Sequence, residues 1–397
     1  MVTATRPASS SARARIADWR PVALIMFGVG WGANQFGSLL GLYTDRLHLG
    51  GGSVQAMFGI YALGLVPGLA LGGPASDRYG RRRLALPFAA CSALVTMVLM
   101  AGAAEPALLY VGRFLAGIVT GAVLAAGTAW VKELSPAAGT RLTALAVSAG
   151  FGAGPLTAAL VAQWSPDPLV AAYLPHLAIM AVAVPLAFRV VETRPEDGAR
   201  NGRGRSRGVG LRLAGIRHPR FRRSVLPVAT WAFAAPVCAF ALLPAQVPVH
   251  HLRIAYAGLM TALTLGGGMA AQPLARRLEG RHPRLLARLG MAGTVAGLLL
   301  AALMVAIEQP LLNAVVALLL GASYGLLLTH SLSEVARMAE PGELAGLTAM
   351  AYALVYAGMF APLVITELGR VVSVPVLLTA AAGLALGSLA VVSRREA

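Results

Sequence analysis

Charge is scarce in this 397-residue chain: 12% of its residues are charged, about half the share usual in soluble domains. That shortage excludes a soluble fold with polar helix faces. Acidic residues are the rarer sign, 16 against 33 basic ones, and Lys132 is the only lysine. No Gly-x-x-x-x-Gly-Lys precedes it, which excludes a P-loop ATPase. Cysteine is limited to Cys91 and Cys238, both inside apolar runs, which argues against a structural disulfide. The seven histidines have no metal spacing; His250 and His251 are adjacent rather than one helical turn apart. With no metal and no nucleophile–base constellation, an enzyme is not expected. No cofactor is expected either, and without an ATPase motif any transport would run on an ion gradient. A net charge of +17 would suggest nucleic acid in a soluble protein, but here the placement of the charges matters more than their sum.

Apolar length is what the chain has in quantity, with 57% hydrophobic residues. Twelve runs are long enough to cross the hydrocarbon core as helices. They cover 21–44, 54–74, 84–103, 107–130, 142–163, 169–190, 224–247, 254–275, 285–306, 311–332, 345–367 and 372–392. An all-α polytopic membrane protein follows. The first run follows a basic stretch, as a signal peptide would. Asn34 and Gln35, and the lack of a small-residue cleavage site, favour a retained helix.

The arginines test this map. If the N-terminus is cytoplasmic, 29 of the 33 basic residues fall on the cytoplasmic side. Only Arg46, Arg253 and Arg370 fall outside, and Arg113 lies within run 4. So strong a bias expects both termini in the cytoplasm of a cell-membrane protein. The expected organisation is a tail at 1–20, six helices over 21–190, a basic linker at 191–223, six helices over 224–392 and a tail at 393–397. The linker is expected to be flexible, its arginines setting topology and touching anionic lipid at the cytoplasmic face rather than nucleic acid. A duplication supports two halves. "SPAAGTRLTALA" (135–146) and "EPGELAGLTAMA" (340–351) share Pro and Thr-Ala-Leu/Met-Ala at the same spacing. Gly117 and Gly121 in run 4 match Gly321 and Gly325 in run 10.

Between runs 2 and 3 stands Gly73-Pro74-Ala75-Ser76-Asp77-Arg78-Tyr79-Gly80-Arg81-Arg82. It resembles the G-x-L-a-D-R-x-G-R-R/K signature of the major facilitator superfamily, with Ala75 replacing the usual leucine. The resemblance covers the whole chain and implies that family's fold, two pseudo-symmetric six-helix bundles. The equivalent second-half loop, "QPLARRLEGRHPR" (272–284), keeps basic residues but lacks the aspartate. Asp77 at a helix end near the membrane needs a partner. Arg81 is in reach if the helical turn persists, and Glu133 is a second partner for Arg81. The family resemblance implies a gate built on Gly73, Asp77, Arg78, Gly80, Arg81, Arg82 and Glu133.

"GRFLAGIVTGA" (112–122) resembles the family's helix 4 pattern R-x-x-x-G-x-x-x-G. Arg113 inside a membrane helix needs compensation, which Asn34 and Gln35 are placed to give. Gly150, Gly154 and Pro155 resemble part of the family's antiporter signature, although its closing glycines are replaced by Ala158 and Ala159. The resemblance implies a cavity lined from helices 1, 4, 7 and 10, here with Trp31, Asn34, Gln35, Thr120, Trp231, Ser323 and Tyr324. Tyr352 and Tyr356 share a face of helix 11. No carboxylate lies at mid-depth in the runs, and His176 titrates in the range a proton carrier needs. A monomeric exporter of small organic molecules in exchange for protons is the expectation. A facilitator or importer, and a transport-inactive sensor or scaffold, are the alternatives.

Overall fold

The computed structural model describes residues 17–193, 219–339 and 344–394. Most of the expected linker, and most of both tails, lie outside the described residues.

The first half begins with α1 (20–47), which is interrupted: a 3-10 turn at Phe36–Leu39 joins Arg20–Gln35 to Leu40–Leu47. It continues with α2 (Gly51–Tyr79), α3 (Arg81–Ala101), α4 (Ala107–Leu134), α5 (Gly139–Trp164) and α6 (Pro168–Ala187). The second half holds α7 (Phe221–Gln246), α8 (Arg253–Arg281), α9 (Pro283–Ala306), α10 (Leu312–Met338), α11 (344–368) and α12 (Val374–Ser393). Every helix but α1 is by itself long and apolar enough to span a membrane. All twelve runs expected from the sequence are helices. Several extend past their apolar stretch, however: α2, α4, α8 and α10 reach Tyr79, Leu134, Arg281 and Met338. Backbone hydrogen bonding carries a helix into the polar zone, where hydropathy gives no signal.

Each helix reverses the direction of the one before. Residues 17, 193, 219 and 394 therefore share one end of the bundle, termed the linker face; the opposite end is the far face. Between the faces, helices approach closely where they carry glycine. A Cβ on Gly64 would run into the Phe114 carbonyl, and one on Gly117 into the Tyr61 carbonyl, so α4 lies directly on α2. The second half repeats this, with Gly321 against the Thr264 carbonyl and Gly325 against the Gly268 carbonyl placing α10 on α8. Lipid tails compete for apolar contact, so membrane helices associate through such close packing.

The repeat extends to another helix pair. Gly154 of α5 packs against the Trp31 backbone of α1, where a Cβ would stand 2.6 Å from the carbonyl oxygen. Gly358, 204 positions later in the sequence, packs α11 against α7, where a Cβ would stand 2.5 Å from the Ala234 nitrogen. Gly258 of α8 packs against Ala159 and Pro155 of α5 and joins the two halves.

These crossings predict a graded response. Gly117→Ala, forced against backbone, is expected to lower stability by about 1–3 kcal/mol. Gly152→Ala, with nothing within 4 Å, is expected to leave the melting temperature of the purified protein unchanged.

Candidate functional site

The linker face of the first half carries an acid–base lattice. The α2 helix ends at Tyr79, and Gly80, at φ 110°, turns the chain directly into α3. The helical turn therefore does not persist to Arg81, yet its guanidinium still pairs with Asp77 across the corner. It also donates to Ser76 Oγ at 2.8 Å and, through Nε, to Glu133 Oε1 at 3.0 Å. Arg81 is buried by these partners, whereas the Asp77 side chain is 67% exposed.

Sequence reasoning missed the acid that secures this corner. Glu192, just past α6, accepts the backbone N–H groups of Arg81 at 2.7 Å, Arg82 at 3.3 Å and Arg83 at 3.2 Å. These donors head α3, where a helix has free N–H groups and favours a negative charge. A Cβ at Gly80 would strike the Glu192 carboxylate, so the glycine serves both the positive φ and the approach. Arg82 donates to the Phe188 carbonyl at 2.9 Å, and Trp130 Nε1 to the Val191 carbonyl at 2.9 Å. The residues 191–193, expected as the start of a flexible linker, are thus part of the corner. Gly73 has open space where a Cβ would be, and Arg78 stacks over Tyr79.

In the second half the matching backbone corner places Glu279 where the first half has Asp77. His282 N donates to the Leu278 carbonyl at 2.7 Å, as Gly80 N does to Ser76 at 2.9 Å. The loop lacks aspartate but not the acid. Glu279 accepts from Ser333 Oγ of α10. Nearby, Glu334 takes Arg220 at 2.9 Å and Arg337 at 2.7 Å.

Arg113 is buried within α4. Its Nη atoms donate to the carbonyls of Ala33 at 3.1 Å and Phe58 at 3.4 Å, not to Asn34 or Gln35. The α1 helix shifts to its 3-10 turn three residues after Ala33, which alters how the helix uses its carbonyls there. The guanidinium also lies over the rings of Phe36 at 4.6 Å and Tyr61 at 4.5 Å, a favourable place for a desolvated cation. Gln35 is fully buried, with neither amide atom hydrogen-bonded. Asn34 is half-buried, and Trp31 is buried with its Nε1 unpaired.

The other expected pathway residues divide. Tyr324, Tyr352 and Tyr356 come together around a residue the sequence reading missed, Phe233 of α7. Its ring centroid lies 5.0 Å from each of Tyr324 and Tyr356, and Tyr352 stacks on Tyr356 at 6.0 Å. All four are half-buried. Thr120 is buried beside the Tyr61 hydroxyl. Three residues point elsewhere. Trp231 donates to Ser388 of α12 at 3.0 Å. Ser323 turns back to its own Leu319 carbonyl at 2.9 Å and faces Gly293 of α9. His176 is fully buried behind α1, against Gly32, between Thr96 Oγ1 at 2.9 Å and Ser92 Oγ at 3.4 Å.

At the far face the halves are bonded together. Gln163 of α5 accepts the first N–H groups of α8, from Ile254 and Ala255, both at 3.1 Å, and donates to the His251 carbonyl at 3.2 Å. Gln55 donates to the Ala241 carbonyl at 2.6 Å, and Arg253 pairs with Asp45 at 3.0 Å. Gly59 receives the Phe360 ring. These contacts tie α1, α2 and α5 of the first half to α7 and α8 of the second.

Residues 22–362 match the family model of the Major Facilitator Superfamily. The chain belongs to that superfamily. Such membership makes it a multi-pass membrane transporter rather than an enzyme. A superfamily relative from Bacillus subtilis (strain 168), the uncharacterized MFS-type transporter YfnC, is 31% identical over 147 residues. The match spans 36% of each of the two chains, so it covers about a third of the relative's length. Among solved superfamily structures, the nucleoside transporter NupG superposes with a TM-score of 0.71 at 12% identity, covering 95% of this chain and 98% of that one. The partially occluded, inward-open xylose transporter XylE from E. coli superposes with a TM-score of 0.70 at 13% identity, covering 94% and 96%. A POT family transporter in complex with 5-aminolevulinic acid gives 0.72 at 10% identity, covering 94% of each chain. At these identities the likeness is one of fold.

Glu192 is the member of the lattice whose contribution is simplest to isolate. Glu192→Ala removes the acceptor of three N–H groups and is expected to cost about 1–2 kcal/mol. Thermal unfolding checks this, with Glu192→Gln, which keeps one acceptor oxygen, losing less.

Proposed function

We propose that the chain works by alternating access in the cell membrane, exporting small uncharged or amphiphilic organic molecules in exchange for protons. The observation that carries the reading is the unequal bonding of the two ends. Gln163, Gln55 and the Asp45–Arg253 pair join the halves at the far face. At the linker face Asp77 stands exposed, and its ionic partner Arg81 belongs to its own half. This is the arrangement expected of a transporter open on one side. The basic residues concentrated toward the linker face support reading that side as the cytoplasmic one.

The half-buried group of Phe233, Tyr324, Tyr352 and Tyr356 supports the substrate class. Aromatic walls with hydroxyl edges suit apolar or amphiphilic molecules better than sugars or phosphates. The direction rests on the helix 5 motif, whose Gly150 and Gly154 seat α1 while Pro155 meets α8. One observation favours a second reading, a facilitator without proton exchange. Among the described residues every carboxylate lies near one face, as Asp45, Glu308 and Glu367 do at the far face and Glu133 and Glu334 at the linker face.

Two measurements test the proposal. Accumulation of neutral aromatic compounds in inside-out vesicles is expected to stop when an ionophore collapses the pH gradient; unchanged transport assigns the facilitator. Asp77→Asn is expected to slow turnover about tenfold, a barrier of about 1.4 kcal/mol, while leaving compound affinity intact. For the far-face contacts, Thr44→Cys reports access to the small cavity it lines with Asp45 and Arg253. Gln163→Ala is expected to speed its labelling by an impermeant maleimide, and an unchanged rate removes Gln163 from the closure.

A further inference from the structure

The two halves differ at the linker face of the second one. There the ends of α7, α8, α9, α10 and α12 line an open cavity of about 980 Å³ that lies apart from the aromatic group described above. Its charged lining is lopsided. Among the described residues of its lining, Arg220, Arg223, Arg281, Arg288 and Arg394 face one carboxylate, Glu334. That carboxylate is already engaged by Arg220 at 2.9 Å and Arg337 at 2.7 Å. Arg223, Arg281 and Arg394 have no carboxylate partner among the described residues. Arg288 is half-buried; it donates to the Ser393 carbonyl at 2.8 Å, and its Nε is buried without a partner.

Comparison with the first half shows what is missing. "VVET" (190–193) follows α6 and "VVSR" (391–394) ends α12, the last helix of each half. In the first half the third residue of that run, Glu192, places its carboxylate on the N–H groups that head α3. In the second half the third residue is Ser393 and the fourth is Arg394, beside the head of α9 and its arginines. An internal anion has been replaced by a hydroxyl and a further cation, and the space left is a cavity rather than a packed corner.

We propose that this cavity binds a phosphate-bearing anion, held by Arg223, Arg281, Arg288 and Arg394 in the position that Glu192 occupies in the other half. Guanidinium forks match phosphate oxygens in geometry and charge, and several of them around one anion relieve their mutual repulsion. Leu285, Val391 and Val392 supply an apolar wall. The headgroup of an anionic phospholipid and a soluble polyphosphate share the chemistry required, and basic pockets between membrane helices are known seats for such headgroups.

The test uses full-length protein in uncharged detergent, with thermal unfolding followed during titration by short-chain phosphatidylglycerol or, separately, by inorganic pyrophosphate. At least one is expected to raise the melting temperature saturably, and the one that does identifies the source. Arg223→Gln/Arg281→Gln/Arg394→Gln is expected to weaken that binding at least about tenfold, whereas Arg83→Gln in the first half leaves it unchanged. Ser393→Glu, which restores the internal acid, is expected to raise the ligand-free melting temperature and to abolish the response. Absence of a saturable shift with either ligand overturns the proposal. So does wild-type affinity in either the triple variant or Ser393→Glu; if the triple variant does not fold, Ser393→Glu decides alone.

Discussion

Helices in hydrocarbon gain little by hiding apolar faces from lipid, so they must be held by contact close enough that lipid cannot compete. The crossings of α4 on α2 and of α10 on α8 meet that requirement by bringing backbone against backbone at Gly64, Gly117, Gly321 and Gly325. Much else follows from those four positions. Because α4 lies directly on α2, Arg113 reaches the Phe58 carbonyl and the Tyr61 ring. For the same reason Glu133, at the end of α4, arrives at the corner where α2 gives way to α3 and meets Arg81 there. The equivalent crossing brings Ser333 of α10 to Glu279 of α8. A side chain at any of the four would separate a pair of helices and with it a charged site more than one turn away.

Charge is managed by different means at different depths. Arg113, deep in the bundle, is served by two carbonyls and three aromatic rings, none of which adds a second buried ion. A carboxylate there would have needed its own desolvation repaid. At the linker face, where water is near, acids and bases meet directly: Asp77 and Glu133 on Arg81, Arg220 and Arg337 on Glu334. The side of the bundle that carries most of the arginines therefore also carries the ion pairs that fix helix ends.

Helix number, the duplication and the position of the Asp77–Arg81 corner were legible in the sequence because each leaves a signal of length or spacing. Apolar run length depends only on the thickness of hydrocarbon, and Gly73, Asp77, Gly80 and Arg81 are close together in the chain. Glu192 was not legible, since it acts on residues more than a hundred positions earlier and follows a helix in what reads as polar linker. The same holds for the carbonyl partners of Arg113. Asn34 and Gln35 were the visible acceptors, but every residue has a carbonyl, and only the 3-10 turn after Ala33 distinguishes that stretch of backbone. The directions taken by His176, Trp231 and Ser323, away from the aromatic group, were not legible because depth can be read from a sequence while rotation about the helix axis cannot when the helix is apolar all round.

The far-face contacts also set a scale for the conformational change. In the proposed alternating-access cycle, opening that side breaks three neutral hydrogen bonds from Gln163 and one from Gln55. Each is worth about 0.5–1.5 kcal/mol net, and the half-exposed Asp45–Arg253 pair adds at most about 1 kcal/mol. The apolar contact at Gly59 and Gly258 adds to the closure without direction. The total is a few kcal/mol, the size of bias that differential binding of one small molecule can supply. A closure built instead from buried ion pairs would resist opening more strongly, since separating such a pair leaves each charge desolvated and alone. Glutamine amides suit the repeated making and breaking that the proposed cycle asks of this contact, because once separated both of their polar ends return to water at little cost.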